Sequence, residues 1–296
     1  MQGMTPGGPI VSAVVLNYLN WEQTVLCVED LLEQHGVELD VVVDDNASPN
    51  DSLGCLRERF GGEGRVQLIA SGRNGGYAQG NNHGARWRLD RRPVDYFLIV
   101  NNDVRLPERR AVSTLAAFAA GHPDAGMVGP RVLTSAGFAQ GPYRRPHPLI
   151  CCLRYCLPII PFAHRLWRRS RREQMSRACF ALIGACLLLP AAAFSQAGMF
   201  DEATFLGAEE YILAERLRDR GLRSYYVPAV WVRHEHGFSA IRRTGGEARY
   251  LPAGVASMAY YFRRYQRAPE SWITLFERVA ACYGHVWLPL RQKLPL

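Results

Sequence analysis

Short apolar runs alternate with amphipathic segments along the first third of the chain. Ile10 to Leu16 is a continuous β-branched run, and Trp21 to Gln34 carries apolar residues at the spacing of an amphipathic helix. A second helix is predicted over residues 78–89, and further strand-like runs occupy residues 39–43, 65–70 and 96–100. Apolar strands that alternate with helices predict an α/β fold with helices on both faces of a mostly parallel sheet.

Polar residues follow each of these predicted strands. They are Asn17 and Tyr18, then Asp44, Asp45 and Asn46, then Ser71, Arg73 and Asn74, and finally Asn101, Asn102 and Asp103. The carboxyl ends of parallel strands meet at one edge of a sheet, where α/β folds bind their ligands. The pattern therefore predicts one site lined with carboxylates and amides.

The second half of the chain has a different pattern. A basic, proline-interrupted stretch spans residues 141–172, and an apolar strand is predicted near Cys179 to Leu189. Glu209 to Arg220 is rich in helix formers, and Gly221 is a typical C-terminal stop. The strand predicted at residues 224–232 is followed by three more polar residues, His234, Glu235 and His236.

The charge of the chain is unevenly distributed. The formal net charge is +8, and arginines concentrate in Tyr143 to Arg172 and in Ile241 to Arg267. Such stretches favour an anionic partner, and anionic lipid, a phosphate-bearing substrate and nucleic acid all qualify. The basic stretches lie outside the predicted strand-end site and lack a helix-turn-helix, zinc-finger or RNA-recognition pattern, so a nucleic-acid partner is not expected.

Two features of the sequence predict a cytoplasmic protein. The N-terminus lacks the basic and apolar regions of a signal peptide, and the eight cysteines include no CxxC pair. The apolar stretch from Ala178 to Phe194 is interrupted by Gly184 and Pro190, so a buried strand is favoured over a membrane span. Residues 149–167 are broken by an arginine and two prolines, a pattern compatible with peripheral contact at the inner membrane face.

Six segments occur in an order and spacing that resemble one enzyme family. They are LNYLNWEQT, VVVDDNASPNDS, GRNGGYAQGNNHGA, FLIVNNDV, GMFDEATFLGAEE and VRHEHGFS. Together they resemble the inverting GT-A glycosyltransferases of family 2, in particular the bacterial rhamnosyltransferase-like branch. The resemblance covers about residues 10 to 240. It implies a three-layer α/β/α GT-A fold with a Rossmann-like nucleotide-binding half.

The resemblance also implies a domain organisation. Residues 1–240 would form the GT-A domain, with a nucleotide-sugar half at 10–105 and an acceptor half at 106–240. The acceptor half would contain a basic insertion at 141–175, and residues 241–296 would form a basic, aromatic helical extension.

A nucleotide-sugar site is implied at the strand ends. The matching positions are Asn17, Tyr18, Asp45, Arg73, Asn74, Gly76, Asn102 and Asp103. Asp45 would accept a hydrogen bond from a uracil or thymine ring nitrogen, since an ionised carboxylate only accepts. The alternative is that Asp45 belongs to the cap of a helix starting near Asp51.

The resemblance further implies a divalent cation, Mg²⁺ or Mn²⁺, bound by Asp103 and His234. A hard cation neutralises the diphosphate leaving group. The first position of the family's metal motif is Asn101 here, which supplies no charge, so the cation would have one strong ligand from this motif. A capped turn without a metal is the structural alternative for these residues.

The general base implied by the resemblance is Glu210, with Glu209 as the alternative. The family has an aspartate where this chain has Glu210, and the extra methylene moves the carboxylate by roughly 1 Å. Both residues begin a predicted helix, where anions are favoured whether or not they are catalytic.

The resulting expectation is a glycosyltransferase that inverts configuration at the transferred sugar. The donor would be a dTDP- or UDP-linked sugar, with rhamnose as the first candidate, and the acceptor a hydroxyl of a glycan or polyprenyl-linked intermediate in surface polysaccharide synthesis. A nucleotidyltransferase on a similar sheet and an inactive GT-A-like scaffold are the alternatives.

Overall fold

The computed structural model describes residues 8–156, 175–235 and 247–287. Strands and helices alternate in its first part as predicted, and the observed helix bounds differ from the predicted ones by a few residues. The elements in order are β1 (Ile10–Asn17), α1 (Trp21–Leu32), β2 (Glu38–Asp45), α2 (Ser52–Phe60), β3 (Val66–Ala70), α3 (Gly76–Leu89) and β4 (Tyr96–Asn101).

The remaining elements complete the sheet and add helices. The strands are β5 (Val104–Arg105), β6 (Ala125–Thr134), β7 (Ala139–Gln140), β8 (Arg177–Cys179), β9 (Cys186–Pro190) and β10 (Arg223–His234). The helices are α4 (Ala111–Ala120), α5 (Pro148–Cys156), α6 (Ala191–Gln196), α7 (Glu209–Arg218), α8 (Glu247–Arg264) and α9 (Glu270–Cys282), the last followed by a π-helical turn at Tyr283–Trp287.

The main path of the sheet runs β3-β2-β1-β4-β9-β6-β10-β5. The four strands from β3 to β4 are mutually parallel, and β1 lies between β2 and β4. In this register Leu16 pairs with both Asp44 and Asn101, and Asn17 pairs with Asp45. The mostly parallel α/β sheet is therefore confirmed, and its polar strand ends lie side by side.

The apolar stretch predicted as one strand near Cys179 to Leu189 is instead two strands. β8 pairs antiparallel with β10, whereas β9 enters the centre of the sheet antiparallel to β4. The pairing of Val100 with Cys186 places the start of β9 beside the end of β4. The loop at residues 180–185 consequently reaches the polar edge of the sheet.

Two apolar cores lie on opposite faces of the sheet, which makes the fold three-layered. Ala13 and Val15 of β1 pack with α1, α2 and α4, whereas Val14 packs with α3, α6 and α7. This alternation follows from the two-residue period of a strand. A third core joins α5, α8 and α9 to Ala208 and Ile212 beside and within α7.

Asp201 anchors α8 to the sheet domain. It accepts hydrogen bonds from the hydroxyls of Tyr260 (3.0 Å) and Tyr265 (2.6 Å), and it pairs with Arg216 at 3.0 Å. Burial works to raise the pKa of Asp201, but the hydrogen bonds, including one from the Ala203 N–H, and the Arg216 charge outweigh it and lower the pKa. The segment from Phe200 to Glu202, which contains Asp201, thus holds the C-terminal helices in place.

Within the described ranges, every helix is either too short or too polar to cross a bilayer.

We expect Asp201→Ala to lower the free energy of unfolding by about 2–4 kcal/mol, because the Arg216 charge and two phenols lose their common acceptor. Chemical denaturation gives the magnitude, and hydrogen exchange should increase first in α8. Asp124→Ala is the control, since Asp124 also accepts from a tyrosine, Tyr225 at 2.9 Å, but its side chain is 41% exposed. Equal losses in the two variants would contradict the anchoring role.

Candidate active site

Asp45 is held by its neighbours at the ends of β1 and β2. The Asn17 amide donates to Asp45 Oδ1 at 2.6 Å, and the Ser48 hydroxyl and N–H donate to Asp45 Oδ1 and Oδ2 at 2.7 and 2.9 Å. These three hydrogen bonds leave one acceptor position of the Asp45 carboxylate open, since a carboxylate has about four acceptor sites. Helix α2 begins at Ser52, and the residue at its N-cap position is Asp51, which makes no side-chain cap hydrogen bond. Asp45 is therefore not the cap of this helix. It organises the loop that precedes the helix.

The two loops beside Asp45 contain unusual backbone conformations. Leu19 and Ala47 have φ values of 66° and 55°, a region that residues with a Cβ rarely adopt. The Ser48 hydroxyl accepts from the Leu19 N–H at 2.9 Å and helps to hold this conformation. Tyr18 lies partly buried beside Leu19. Strain of this kind is typical of ligand-binding loops.

Asp44 points to the opposite face of the sheet from Asp45. Its Oδ2 lies 2.6 Å from Nδ1 of His83 on α3. Burial raises the pKa of Asp44 to about 6, against the opposing effect of His83. Asp44 therefore flanks the nucleotide positions and belongs to the packing of α3.

Hydrogen bonds join the glycine-rich segment at residues 72–76, which leads into α3, to the loop that follows β2. The Asn46 amide donates to Asn74 Oδ1 at 3.1 Å and to the Gly76 carbonyl at 3.3 Å. Gly76 has φ of +81°, and a Cβ there would lie 2.1 Å from the Phe205 carbonyl oxygen, so only glycine fits this approach. Arg73 and Asn74 are exposed in front of this segment.

Asp103 and His234 lie together at the ends of β4 and β10. His234 Nε2 is 3.1 Å from Asp103 Oδ1, and His234 Nδ1 is 2.9 Å from the Gln140 side-chain oxygen. Because an amide oxygen can only accept, Nδ1 carries a hydrogen, and Nε2 faces the Asp103 carboxylate. Nε2 is buried and has no hydrogen-bond partner. Two acceptor atoms at this distance repel each other unless a cation or proton lies between them.

The carboxylate of Asp103 and the imidazole of His234 fit a divalent cation, to which they would supply two protein ligands. In the described part of the chain, groups of three or more histidine, cysteine or acidic side chains with metal-site geometry are absent. Further ligands would come from the diphosphate or water, as is usual for Mg²⁺. Asn102 is not turned toward this pair, because its amide donates to Thr24 Oγ1 at 3.0 Å and to the Asn20 carbonyl.

Glu209 and Glu210 open helix α7 directly after Ala208, which has φ of 72°. Glu210 Oε1 accepts the Gly184 N–H at 2.8 Å, and the residue is half-buried. Glu209 is fully buried, and its Oε1 has no hydrogen-bond partner. Burial, and next the charge of Glu210, raise the pKa of Glu209 to about 8, whereas burial alone raises that of Glu210. Glu209 is thus protonated at neutral pH, and Glu210 is the better candidate for the ionised carboxylate.

Hydrogen bonds connect these groups along the edge of the sheet where β1, β2 and β4 end, which we call the rim. The Asn17 side-chain oxygen accepts from Thr24, which in turn accepts from Asn102. On the other side, the Asn101 N–H donates to the Ala185 carbonyl at 2.9 Å, next to the glycine that binds Glu210. The structure therefore brings the predicted nucleotide, metal and base positions to one edge of the sheet.

Several contributing residues were not predicted from the sequence. They are Thr24, Ser48, Tyr77, Gln140 and Gly184. Gly184 interrupts an apolar run, and a glycine within a strand-like pattern is a known signal for close backbone approach. The others carry no comparable signal.

Two grooves in the described part of the protein share Trp231 as a lining residue. One of about 270 Å³ is lined by Arg131, Leu133 and Pro228, and one of about 140 Å³ by Asp30, Arg105 and Arg233 among others. The strand-end rim carries the paired acceptors and the buried carboxyl groups, so it remains the candidate active site.

A parallel half, joined to a mixed half with carboxylates along the common edge, is the architecture of a glycosyltransferase of the GT-A type. Residues 12–196 match the family described as glycosyl transferase family 2, and the chain belongs to that family. The family, the fold class and the glycosyltransferase class predicted from the sequence are confirmed. The roles of individual site residues and the domain boundaries stay predictions.

Two relatives in sequence are named as transferases of sugars. The N-acetylglucosaminyl-diphospho-decaprenol L-rhamnosyltransferase of Mycobacterium tuberculosis is 28% identical over 250 residues, which is 78% of each chain. The low-salt glycan biosynthesis hexosyltransferase Agl10 of Haloferax volcanii is 24% identical over 211 residues, covering 70% of this chain and 61% of Agl10.

Two solved structures share the fold. The mannosyltransferase PcManGT from Pyrobaculum calidifontis, in complex with GDP-Man and Mn²⁺, has a TM-score of 0.61 at 18% identity, covering 97% of this chain and 74% of its own. GalNAc-T7, solved with UDP, GalNAc and Mn²⁺, has a TM-score of 0.62 at 15% identity, with coverages of 99% and 59%.

Protonation of Glu209 should be visible in the pH dependence of stability. The pKa of Glu209 rises from 4.5 to about 8 on folding, so between these values the folded protein keeps a proton that the unfolded chain releases. The free energy of unfolding from this group therefore decreases as the pH rises through that range. Relative to Glu209→Gln, the Tm of the parent should fall by at least about 2 °C more between pH 5 and pH 8, which about 1 kcal/mol produces at this size. Parallel Tm curves for the two proteins would refute the assignment.

Proposed function

We propose that this glycosyltransferase moves a sugar from a nucleoside diphosphate to a hydroxyl of a lipid-linked glycan, with inversion at the anomeric carbon. The observation that carries the proposal is the common rim of the Asp103–His234 pair and Glu210. An inverting displacement needs a charge-neutralising group at the leaving diphosphate and a carboxylate base for the incoming hydroxyl.

The nucleotide would bind at the ends of β1 to β3. Asp45 retains one acceptor position, which suits the ring N–H of uracil or thymine. Partly buried Tyr18 would pack against the base, and exposed Arg73 would meet the diphosphate. We therefore favour a UDP- or dTDP-linked donor, and rhamnose is the first candidate because a relative is named a rhamnosyltransferase.

Asp103 and His234 would hold the divalent cation. When bound, Mg²⁺ or Mn²⁺ supplies positive charge next to the diphosphate oxygens. The Gln140 bond fixes the ring of His234 so that Nε2 faces Asp103. Asn101 contributes its backbone here, since its N–H donates to the Ala185 carbonyl.

Glu210 would accept the proton of the attacking hydroxyl. The acceptor oxygen then bonds to the anomeric carbon, while the bond from that carbon to the diphosphate oxygen breaks and the diphosphate leaves with the electron pair. Burial raises the pKa of Glu210, which makes its carboxylate a stronger base. Protonated Glu209 adds no competing charge beside it.

The acceptor is proposed to be glycan-bearing and polyprenyl-linked, which places the enzyme on the inner face of the cell membrane. The two helices α5 and α9 pack together and expose apolar side chains, with Ile150 and Leu153 each 61% exposed and Leu275 46%. The basic segment at residues 157–174 follows α5 directly, and its placement lies outside the described residues. Apolar side chains beside arginines are the composition of a surface that binds anionic lipid.

Glu210→Gln should reduce kcat for sugar transfer by about 10²- to 10⁴-fold, the usual contribution of a general base. Donor affinity measured by calorimetry should stay within about twofold, because Gln keeps the acceptor oxygen that binds the Gly184 N–H. Glu270→Gln is the matched control, since Glu270 also lies in the first turn of a helix but is paired with Arg263 away from the rim. Equal turnover by parent and Glu210→Gln would remove Glu210 as the base, and absence of transfer by the parent would favour an inactive scaffold.

Asp103→Asn should weaken donor binding in the presence of Mn²⁺ by at least about tenfold, as loss of metal-site groups does. With EDTA, parent and variant should bind the donor equally weakly. Asp219→Asn removes an exposed carboxylate after α7 and should behave as the parent. Parent affinity that does not change on chelation would show that the Asp103–His234 pair holds no functional cation.

A further inference from the structure

The backbone of Gly184 lies between two side chains of the rim. Its N–H donates to Glu210 Oε1 at 2.8 Å, and its carbonyl oxygen accepts the Tyr77 hydroxyl at 2.7 Å. A Cβ at this position would lie 2.7 Å from Glu210 Oε1 and 3.1 Å from the Tyr77 oxygen. Both side chains therefore pack against the face that glycine leaves open.

Glycine has the largest backbone freedom of any residue, so an N–H on a glycine is by itself a poorly fixed donor. The Tyr77 hydroxyl restricts Gly184 by holding its carbonyl, and the neighbouring Ala185 carbonyl is tied to the Asn101 N–H at 2.9 Å. These two bonds hold the two peptide units that follow Gly184, and so restrict the directions in which its N–H can point. The N–H in turn holds the Glu210 carboxylate.

Tyr77 is itself fixed by the segments on both sides of the site. It follows Gly76 in the glycine-rich segment, and its N–H donates to the Phe205 carbonyl at 2.9 Å. Its ring packs edge-on against Phe200, with centroids 5.5 Å apart. The Tyr77 hydroxyl thus connects the donor-side segment to the carboxylate at the start of α7.

We propose that Tyr77 and Gly184 are positioning residues for the base, with Tyr77 orienting Gly184 and Gly184 holding one oxygen of Glu210. The other oxygen of Glu210 is then left to receive the proton of the acceptor hydroxyl. This inference rests on the proposed role of Glu210. It assigns a function to a tyrosine that contacts neither donor nor cation in the proposed mechanism.

The titratable groups around Glu210 are compatible with this arrangement. They are Glu209 on the same helix and Tyr77 on α3, and Tyr77 in turn lies near Cys186 on β9. Burial, followed by the charges of Glu210 and Glu209, raises the pKa of Tyr77 well above its ordinary value. The phenol therefore keeps its hydrogen and remains a donor to Gly184 at any pH at which the enzyme would work.

The test is Tyr77→Phe, which removes the hydroxyl and keeps the ring. We expect kcat for sugar transfer to fall about 10- to 100-fold, the size of effect that misplacement of a reacting group produces. KM for the donor should stay within about twofold. The acid limb of the pH profile of kcat should move to higher pH, because a loosened Gly184 N–H stabilises the ionised Glu210 less.

Tyr225→Phe is the matched control, because it removes a hydroxyl bound to Asp124 beside α4, away from the rim. It should keep the parent kcat and pH profile. Gly184→Ala is a second variant, in which the new Cβ displaces the Glu210 carboxylate, and it should lose kcat while donor affinity is retained.

The inference is overturned if Tyr77→Phe keeps the parent kcat and acid limb, or if its loss of kcat is accompanied by equal losses of donor affinity and Tm. Full kcat in Gly184→Ala would also overturn it. If Glu210→Gln is inactive while Tyr77→Phe is unaffected, only this inference fails. If parent and Glu210→Gln transfer equally, the proposed base fails and the inference fails with it.

Discussion

The in-register, parallel pairing of β1 with β2 and β4 is the constraint on which the site depends. This pairing puts Leu16 level with Asp44 and Asn101, and Asn17 level with Asp45. A shift of one residue would turn Asp45 to the face that Asp44 occupies and would separate it from Asn17. The fully buried apolar residues Val14 and Val15 fix the register, because they pack on opposite faces of the sheet. Core packing therefore positions the polar rim.

Several groups in the rim lower the stability of the folded protein. Glu209 is buried with an oxygen that lacks a hydrogen-bond partner, and the buried Nε2 of His234 faces a carboxylate. Leu19, Ala47 and Ala208 adopt left-handed backbone conformations nearby. Such features cost stability and are retained where a ligand or a reaction makes use of them. Their grouping at one edge of the sheet supports the assignment of that edge as the active site.

The C-terminal helices support the rim by packing against α7. Asp201 ties α8 to the sheet domain through two tyrosines and Arg216, and the third apolar core continues into α7 through Ile212. Helix α7 carries Glu210 in its first turn, so the helix that presents the carboxylate is packed on both sides. The exposed apolar residues of α5 and α9 belong to this same helical part, which relates the proposed membrane contact to the acceptor side of the enzyme.

The amino-acid pattern was enough to predict the alternation of strands and helices, the parallel half of the sheet, the glycosyltransferase family, and Asp45, Asp103, His234 and Glu210 as candidates. These follow from local periodicity, from polar residues at strand ends and from motif order, all of which are properties of short segments. Only long-range contacts make β9 run antiparallel through the centre of the sheet, turn Asn102 toward Thr24, and join Gly184 to both Glu210 and Tyr77. These contacts join residues far apart in the chain, and local sequence carries no record of which distant partner a hydroxyl or a backbone N–H will meet.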